Sequence, residues 1–241
     1  MIRKFPRILF AVMTVGYIFA IFSLFLPGKY IYGLISLLVA SAINLTYLSS
    51  REYKALGSLN NAKQFIEKNK TDTAAKLIIK SAKLNEDEDS VNKFFSKPIK
   101  NIEATKNVAS KLNAVLKEYD TPYFRYITAG FYYTIGDLKK VVRILNEIPE
   151  EKRTIKITRL LGSTLLDLKE IDKSIEVLSK FDPPFPPINE DELAIIYGIG
   201  IDYLNKGDKE KAISYLTKVE AKNSKFGNVS KILSKIKEEE K

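Results

Sequence analysis

Two uncharged runs of 19 residues at the N-terminus constrain this chain more than any other feature of its sequence. Ile8 to Leu26 reads ILFAVMTVGYIFAIFSLFL, without charge or proline. At 1.5 Å per residue a helix of that length spans about 28 Å, close to the hydrocarbon thickness of a bilayer. Pro27-Gly28-Lys29 follows, a sequence that ends a helix and reverses the chain. Tyr30 to Leu48, YIYGLISLLVASAINLTYL, is the second uncharged run. The pattern predicts an antiparallel transmembrane hairpin over residues 1–50, with helices at about 8–26 and 30–48. The lipid bilayer is then a partner of residues 8–48.

Small and polar residues supply the packing such a hairpin needs. Gly16 and Ala20 lie four apart on the first helix, and Gly33, Ser41 and Asn44 offer a small or hydrogen-bonding strip on the second. Asn44 has two readings, as packing glue or as part of a functional site within the membrane. A secretory signal peptide competes for the first run. However, 19 apolar residues exceed the usual length, and no A-x-A-like site follows Leu26. Arg3, Lys4 and Arg7 precede the hairpin, Arg51, Lys54 and Lys63 follow it, and only Lys29 sits in the turn. The positive-inside rule therefore predicts a two-span protein of the cell membrane, with both termini and the larger domain in the cytoplasm.

The formal net charge is +10, and beyond residue 50 both signs are interspersed as on a solvated helical surface, so no nucleic-acid partner is expected. The chain has no His and no Cys. This removes the usual zinc and transition-metal ligand sets, the Ser-His-Asp arrangement and cysteine nucleophiles. No phosphate loop or dinucleotide fingerprint appears. No catalytic, metal or cofactor residue is assigned, and the chain is expected not to be an enzyme. The run Glu86-Asp87-Glu88-Asp89 lacks the ligand spacing of a calcium loop and reads as a solvated turn and helix cap. Glu190, Asp191 and Glu192 are consecutive and do not converge on one helix face.

After Ser50 the pattern is helical, without period-two alternation, so the class is all-α. Thr121-Pro122 supplies a cap and a first-turn proline, and Pro149 stops another helix. Three segments align without gaps: GDLKKVVRIL (Gly136 to Leu145), KEIDKSIEVL (Lys169 to Leu178) and GDKEKAISYL (Gly207 to Leu216). They share a small or β-branched residue at Val141, Ser174 and Ala212 and a leucine four later. Upstream, Ala129 and Tyr132, Gly162 and Leu165, and Gly200 and Tyr203 recur at matching offsets.

These residues resemble the tetratricopeptide repeat (TPR) family, whose unit of about 34 residues is a helix-turn-helix with this small/large spacing. The resemblance covers about 105 residues and implies a TPR-like α-solenoid over 121–241, with units at about 122–154, 155–187 and 193–225 and a C-terminal capping helix from Phe226. The family's large aromatic near the start of each first helix is replaced by Arg125, Thr158 and Ile196. KTDTAAKLII, from Lys70 to Ile79, fits the same template, but Pro98 interrupts the stretch between, so residues 51–120 read as degenerate, repeat-like helices.

By resemblance, the first helices line a concave surface that binds peptides or protein segments. That surface would carry Tyr123, Tyr126, Tyr133, Lys156, Arg159, Ser163, Tyr197 and Asn205. The alternative for the tyrosines is packing between helices. FDPPFPPINEDE, from Phe181 to Glu192, reads as a stiff connection between units rather than a polyproline ligand. The expected function is a membrane-anchored helical-repeat adaptor for a protein or peptide partner. The alternative is a structural subunit of a membrane complex, assembled through the hairpin.

Overall fold

The computed structural model of the protein describes residues 14–15, 17–21, 30–49, 51–84, 86–181, 183, 185–187 and 189–238. The described elements run α1 (Tyr30–Ser49), α2 (Arg51–Glu67), α3 (Thr71–Leu84), α4 (Glu88–Phe95), α5 (Ile102–Ala114), α6 (Pro122–Thr134), α7 (Leu138–Asn146), α8 (Ile155–Asp167), α9 (Ile171–Ser179), α10 (Glu190–Lys206), α11 (Lys209–Lys222) and α12 (Val229–Glu238). Two single-turn 3-10 helices, Glu150–Lys152 and Phe226–Asn228, lie between them. No strand occurs among the described residues, and the all-α class holds.

Four helix pairs are closed by one and the same turn. Asn69, Gly136, Lys169 and Gly207 take the left-handed conformation, with φ of 57°, 77°, 65° and 87°. The next amide donates to the carbonyl five residues back: Lys70 to Phe65 (2.8 Å), Asp137 to Tyr132 (3.0 Å), Glu170 to Leu165 (2.9 Å) and Asp208 to Tyr203 (3.0 Å). This satisfies carbonyls that the end of the first helix leaves open. The second helix then starts at once. Asp137 and Asp208 accept from the amides of Lys140 and Lys211 as N-caps.

Small side chains let each pair close. Five residues after the turn stand Ala74, Val141, Ser174 and Ala212, all fully buried. Seven before it stand Ala62, Ala129, Gly162 and Gly200. Nine after it stand Ile78, Leu145, Leu178 and Leu216, which fill the gap. The contact is tight: a Cβ on Gly162 would lie 2.5 Å from Leu178 Cδ2, and one on Gly200 2.9 Å from Leu216 Cδ2. The sequence template set Lys70 opposite Gly136. The structure sets Asn69 there, one residue earlier, because only Asn69 adopts the turn.

Between the first and second of these pairs lies the segment of α4 and α5, whose connection lacks the turn. Pro98 falls in its loop and not inside a helix. The Glu67 carboxylate accepts from the amides of Lys100 (2.8 Å) and Asn101 (3.1 Å), and Asn101 caps α5. From α5 onward each helix packs on the next as far as α12. One apolar cluster extends from Leu59 to Leu165; a second, built by α10, α11 and α12, includes Leu193, Leu216, Val229 and Leu233. Leu178, Ile195 and Ile199 pack where α9 meets α10.

The two-span hairpin is corrected here, and with it the two-span cell-membrane location. Among the described residues no helix is long and apolar enough to cross a membrane. In α1, Ser36, Ser41, Asn44 and Thr46 dilute the apolar run, and Arg51 follows directly at the start of α2. Most of the first expected span, the Pro27-Gly28-Lys29 turn, Gly16 and the N-terminal basic residues lie outside the described residues. Of the expected hairpin-packing residues, Ala20 and Gly33 are buried and Ser41 is half-buried, while the side chain of Asn44 lies outside the description.

Two substitutions test the repeated turn and contact. Gly162→Val should cost about 2–3 kcal/mol in urea unfolding, and combining it with Leu178→Ala should cost less than the two single losses added together. Lys169→Gly should gain about 1 kcal/mol, because it relieves a left-handed residue that carries a Cβ.

Candidate binding surface

α4 is the element that organises this surface. Asp87 caps it, accepting from the amide of Asp89 at 3.2 Å and from the Ser90 hydroxyl at 2.6 Å. Glu88 and Asp89 then sit in its first turn, where negative charge suits the helix dipole. Its apolar residues Val91 and Phe94 are buried and Phe95 is partly buried. The rings of Phe94 and Phe95 pack on Phe131 of α6 at centroid distances of 5.6 and 5.1 Å. Gly130 admits the Phe95 ring, since a Cβ there would lie 2.5 Å from Phe95 Cε2.

So placed, α4 reaches three first helices. From α2, Lys63 Nζ donates to the Phe94 carbonyl at 2.9 Å and also to the Lys97 carbonyl. From α6, the Tyr126 hydroxyl donates to Asn92 Oδ1. From the start of α8, the Thr154 hydroxyl lies 2.8 and 2.9 Å from the two carboxylate oxygens of Glu88. Lys156 pairs with Asp89. Lys156 is only 2% exposed, yet it lies on a chain of charges, because Asp191 of α10 stands 3.7 Å from it and 2.7 Å from Arg159.

The residues expected to line a groove are divided by this arrangement. Tyr123 and Tyr126 are buried, and burial holds both hydroxyls protonated far above the usual tyrosine range. Among the described residues the Tyr123 hydroxyl makes no hydrogen bond of good geometry, though the Ser81 hydroxyl stands near it. Lys156 is buried, and Arg159 is half-buried against Asp191. Tyr133 is exposed and donates to Asp167 at 3.0 Å. Ser163 is exposed. Tyr197 packs on Phe226 and donates to the Gly227 carbonyl at 2.8 Å, and Asn205 is exposed and donates to the Ile201 carbonyl. The structure thus gathers Tyr126, Lys156 and Arg159 around the first turn of α4. It leaves Tyr133, Ser163 and Asn205 on the open surface.

Several members of the site were not singled out from sequence. Asp89 and Glu88 read as part of a solvated turn and helix cap, of which Asp87 forms the cap, and Asp191 as one of three unaligned carboxylates. Their partners are 67, 66 and 32 residues away, so no local pattern signals them. Asn189, by contrast, shows a readable signature, a capping box with Glu192 at the start of α10. Among the described residues no group of acidic side chains is arranged to hold a metal ion.

One buried acid joins the third and fourth turn-closed pairs. Asp202 on α10 is 1% exposed and lies 2.5 Å from Ser174 Oγ on α9, which is also 2.9 Å from the Gly162 carbonyl on α8. One hydroxyl proton cannot serve both oxygens. A protonated Asp202 resolves this by donating to Ser174, which then donates to Gly162. Burial raises the Asp202 pKa from 3.8 to about 6, with the Ser174 hydrogen bond opposing. A carboxyl raised on folding stabilises fully below its unfolded pKa, and that contribution is lost as pH climbs from 3.8 through about 6. Asp202→Asn should therefore gain roughly 3 kcal/mol at pH 7.5 and flatten the melting temperature between pH 4 and 6.5, as read by thermal melts across that range.

No protein-family model matches the chain and no relative is found among curated proteins, which leaves the geometry of this surface as the ground for its function.

Proposed function

We propose that the chain is a helical-repeat scaffold that works by binding alone, holding a peptide or protein segment against its first helices. The observation that carries this reading is the seating of α4. An eight-residue amphipathic helix lies on the face of α2, α6 and α8, held by an aromatic cluster at one end and by charged and polar contacts at the other. A face that receives one short helix in cis has the pockets and polar groups to receive a segment of similar kind in trans. The common turn and the small/large contact in four pairs support the resemblance to the TPR family, in which this face binds partners.

The open part of the face carries Tyr133, Ser163 and Asn205. Tyrosine is a favoured anchor, because its large ring is stiff and its hydroxyl can be satisfied by a partner. A peptide-display selection against the full chain should enrich a shared sequence feature. Binding of the enriched peptides should fall at least about tenfold with Ser163→Arg or Tyr133→Ala and stay unchanged with Lys139→Ala on the second helix α7. Absence of enrichment, or equal loss from the α7 variant, would overturn the scaffold reading.

A further inference from the structure

We propose that Lys156 and Arg159 of α8 form a receptor for the side-chain carboxylates of an acidic helical segment, kept occupied in cis by Asp89 until the first turn of α4 lifts away. This rests on the scaffold reading and names the chemistry of the partner. The two ends of α4 are held by different forces. Its C-terminal half is fixed in the core by Val91, Phe94 and the Phe94–Phe95–Phe131 cluster, with Lys63 on the last carbonyls. Its N-terminal turn is held by polar contacts, among them Glu88 with Thr154 and Asp89 with Lys156. The Asp89 side chain is 45% exposed, so water and ligands reach it, whereas its partner Lys156 is 2% exposed.

That asymmetry dictates how the contact opens. A buried ammonium stripped of its carboxylate is costly, and Asp191, at 3.7 Å and already engaged by Arg159, compensates only in part. The turn therefore lifts readily only when an incoming carboxylate takes the place of Asp89. The exchange selects acidic segments and rejects neutral or basic ones. Arg159, with 37% of its side chain exposed beside the same Asp191, offers the first point of contact. The best-fitting probe is the one the chain already uses, the acidic run Glu86-Asp87-Glu88-Asp89 leading into an apolar helix.

A fluorescein-labelled peptide copying residues 84–97 is titrated into the full chain and followed by anisotropy, beside a control peptide whose four acidic residues are amides. The acidic peptide should bind Asp89→Asn at least about tenfold tighter than the unsubstituted chain, since the competent state is more populated. Its affinity should fall as salt rises, and Lys156→Met should abolish binding in either background. Glu88→Gln, at the edge of the contact, repeats the test should Asp89→Asn fail to fold. Equal binding of acidic and amide peptides, or no gain in a folded Asp89→Asn or Glu88→Gln chain, overturns the proposal. Non-acidic peptides selected through Tyr133 and Ser163 would overturn it while leaving the scaffold reading in place.

Discussion

Close approach of two helices, permitted by a left-handed residue at the turn and by side chains too small to keep the helices apart, underlies every later feature of this structure. At Gly162 and Gly200 the backbone of the first helix meets the leucine of the second directly. A leucine that fills such a gap is in contact on all sides, and a well-packed interior has little room for a further methyl group. The same closeness places the second helix of one pair where it can carry the first helix of the next. Ser174 shows how far the constraint reaches. A hydroxyl at the small position must find partners, and those it finds are a helix carbonyl and a buried acid from the following pair.

Two buried cations illustrate what a first helix does when its position does not call for an apolar side chain. Arg125 of α6 is 8% exposed, with its guanidinium donating to Asp120 at 2.6 Å and to Glu147. These hydrogen bonds hold it charged and tie the entry of α6 to the end of α7. Lys156 is buried to the same purpose on α8, but its carboxylates come from helices distant in sequence. Removing one partner of such a pair costs about 3–5 kcal/mol, whereas replacing the whole set by apolar groups is often neutral. A buried cation with two acidic partners therefore specifies which elements meet more than it stabilises their meeting.

The ten-residue repeat at Gly136, Lys169 and Gly207 was legible in sequence because the turn, the small residue and the leucine are all local and recur at fixed offsets. The earlier copy was legible only to within one residue. Asn69 takes the left-handed turn as Asn often does, but Lys70-Thr71 resembles a Gly-Asp pair no better than Asn69-Lys70 does, and sequence offered no means to choose. Of α4 only the cap at its start was legible. Its eight residues lack the turn, and every polar contact that seats it on α6 and α8 spans more than 30 residues. The hairpin reading rested on a count of uncharged residues, and among the described residues no helix is long and apolar enough to cross a membrane.

Burial on α6 decides where a partner has room to bind. Residues 123 to 132 are buried without a gap, and a helix covered on every side is a central strut rather than a wall of an open groove. What covers its outer face is α4, tethered at both ends by short loops. Such tethering gives α4 an effective concentration that a free segment meets only at about millimolar levels. Complete displacement is further opposed by Phe94 and Val91, whose burial contributes about 1.5–3 kcal/mol each. The first turn shares the tether but not the apolar penalty: its contacts are polar, its carboxylates are partly in water, and any anion of similar geometry satisfies the same lysine. Exchange is therefore confined to the acidic end of α4, and charge rather than apolar area sets which segments the face accepts.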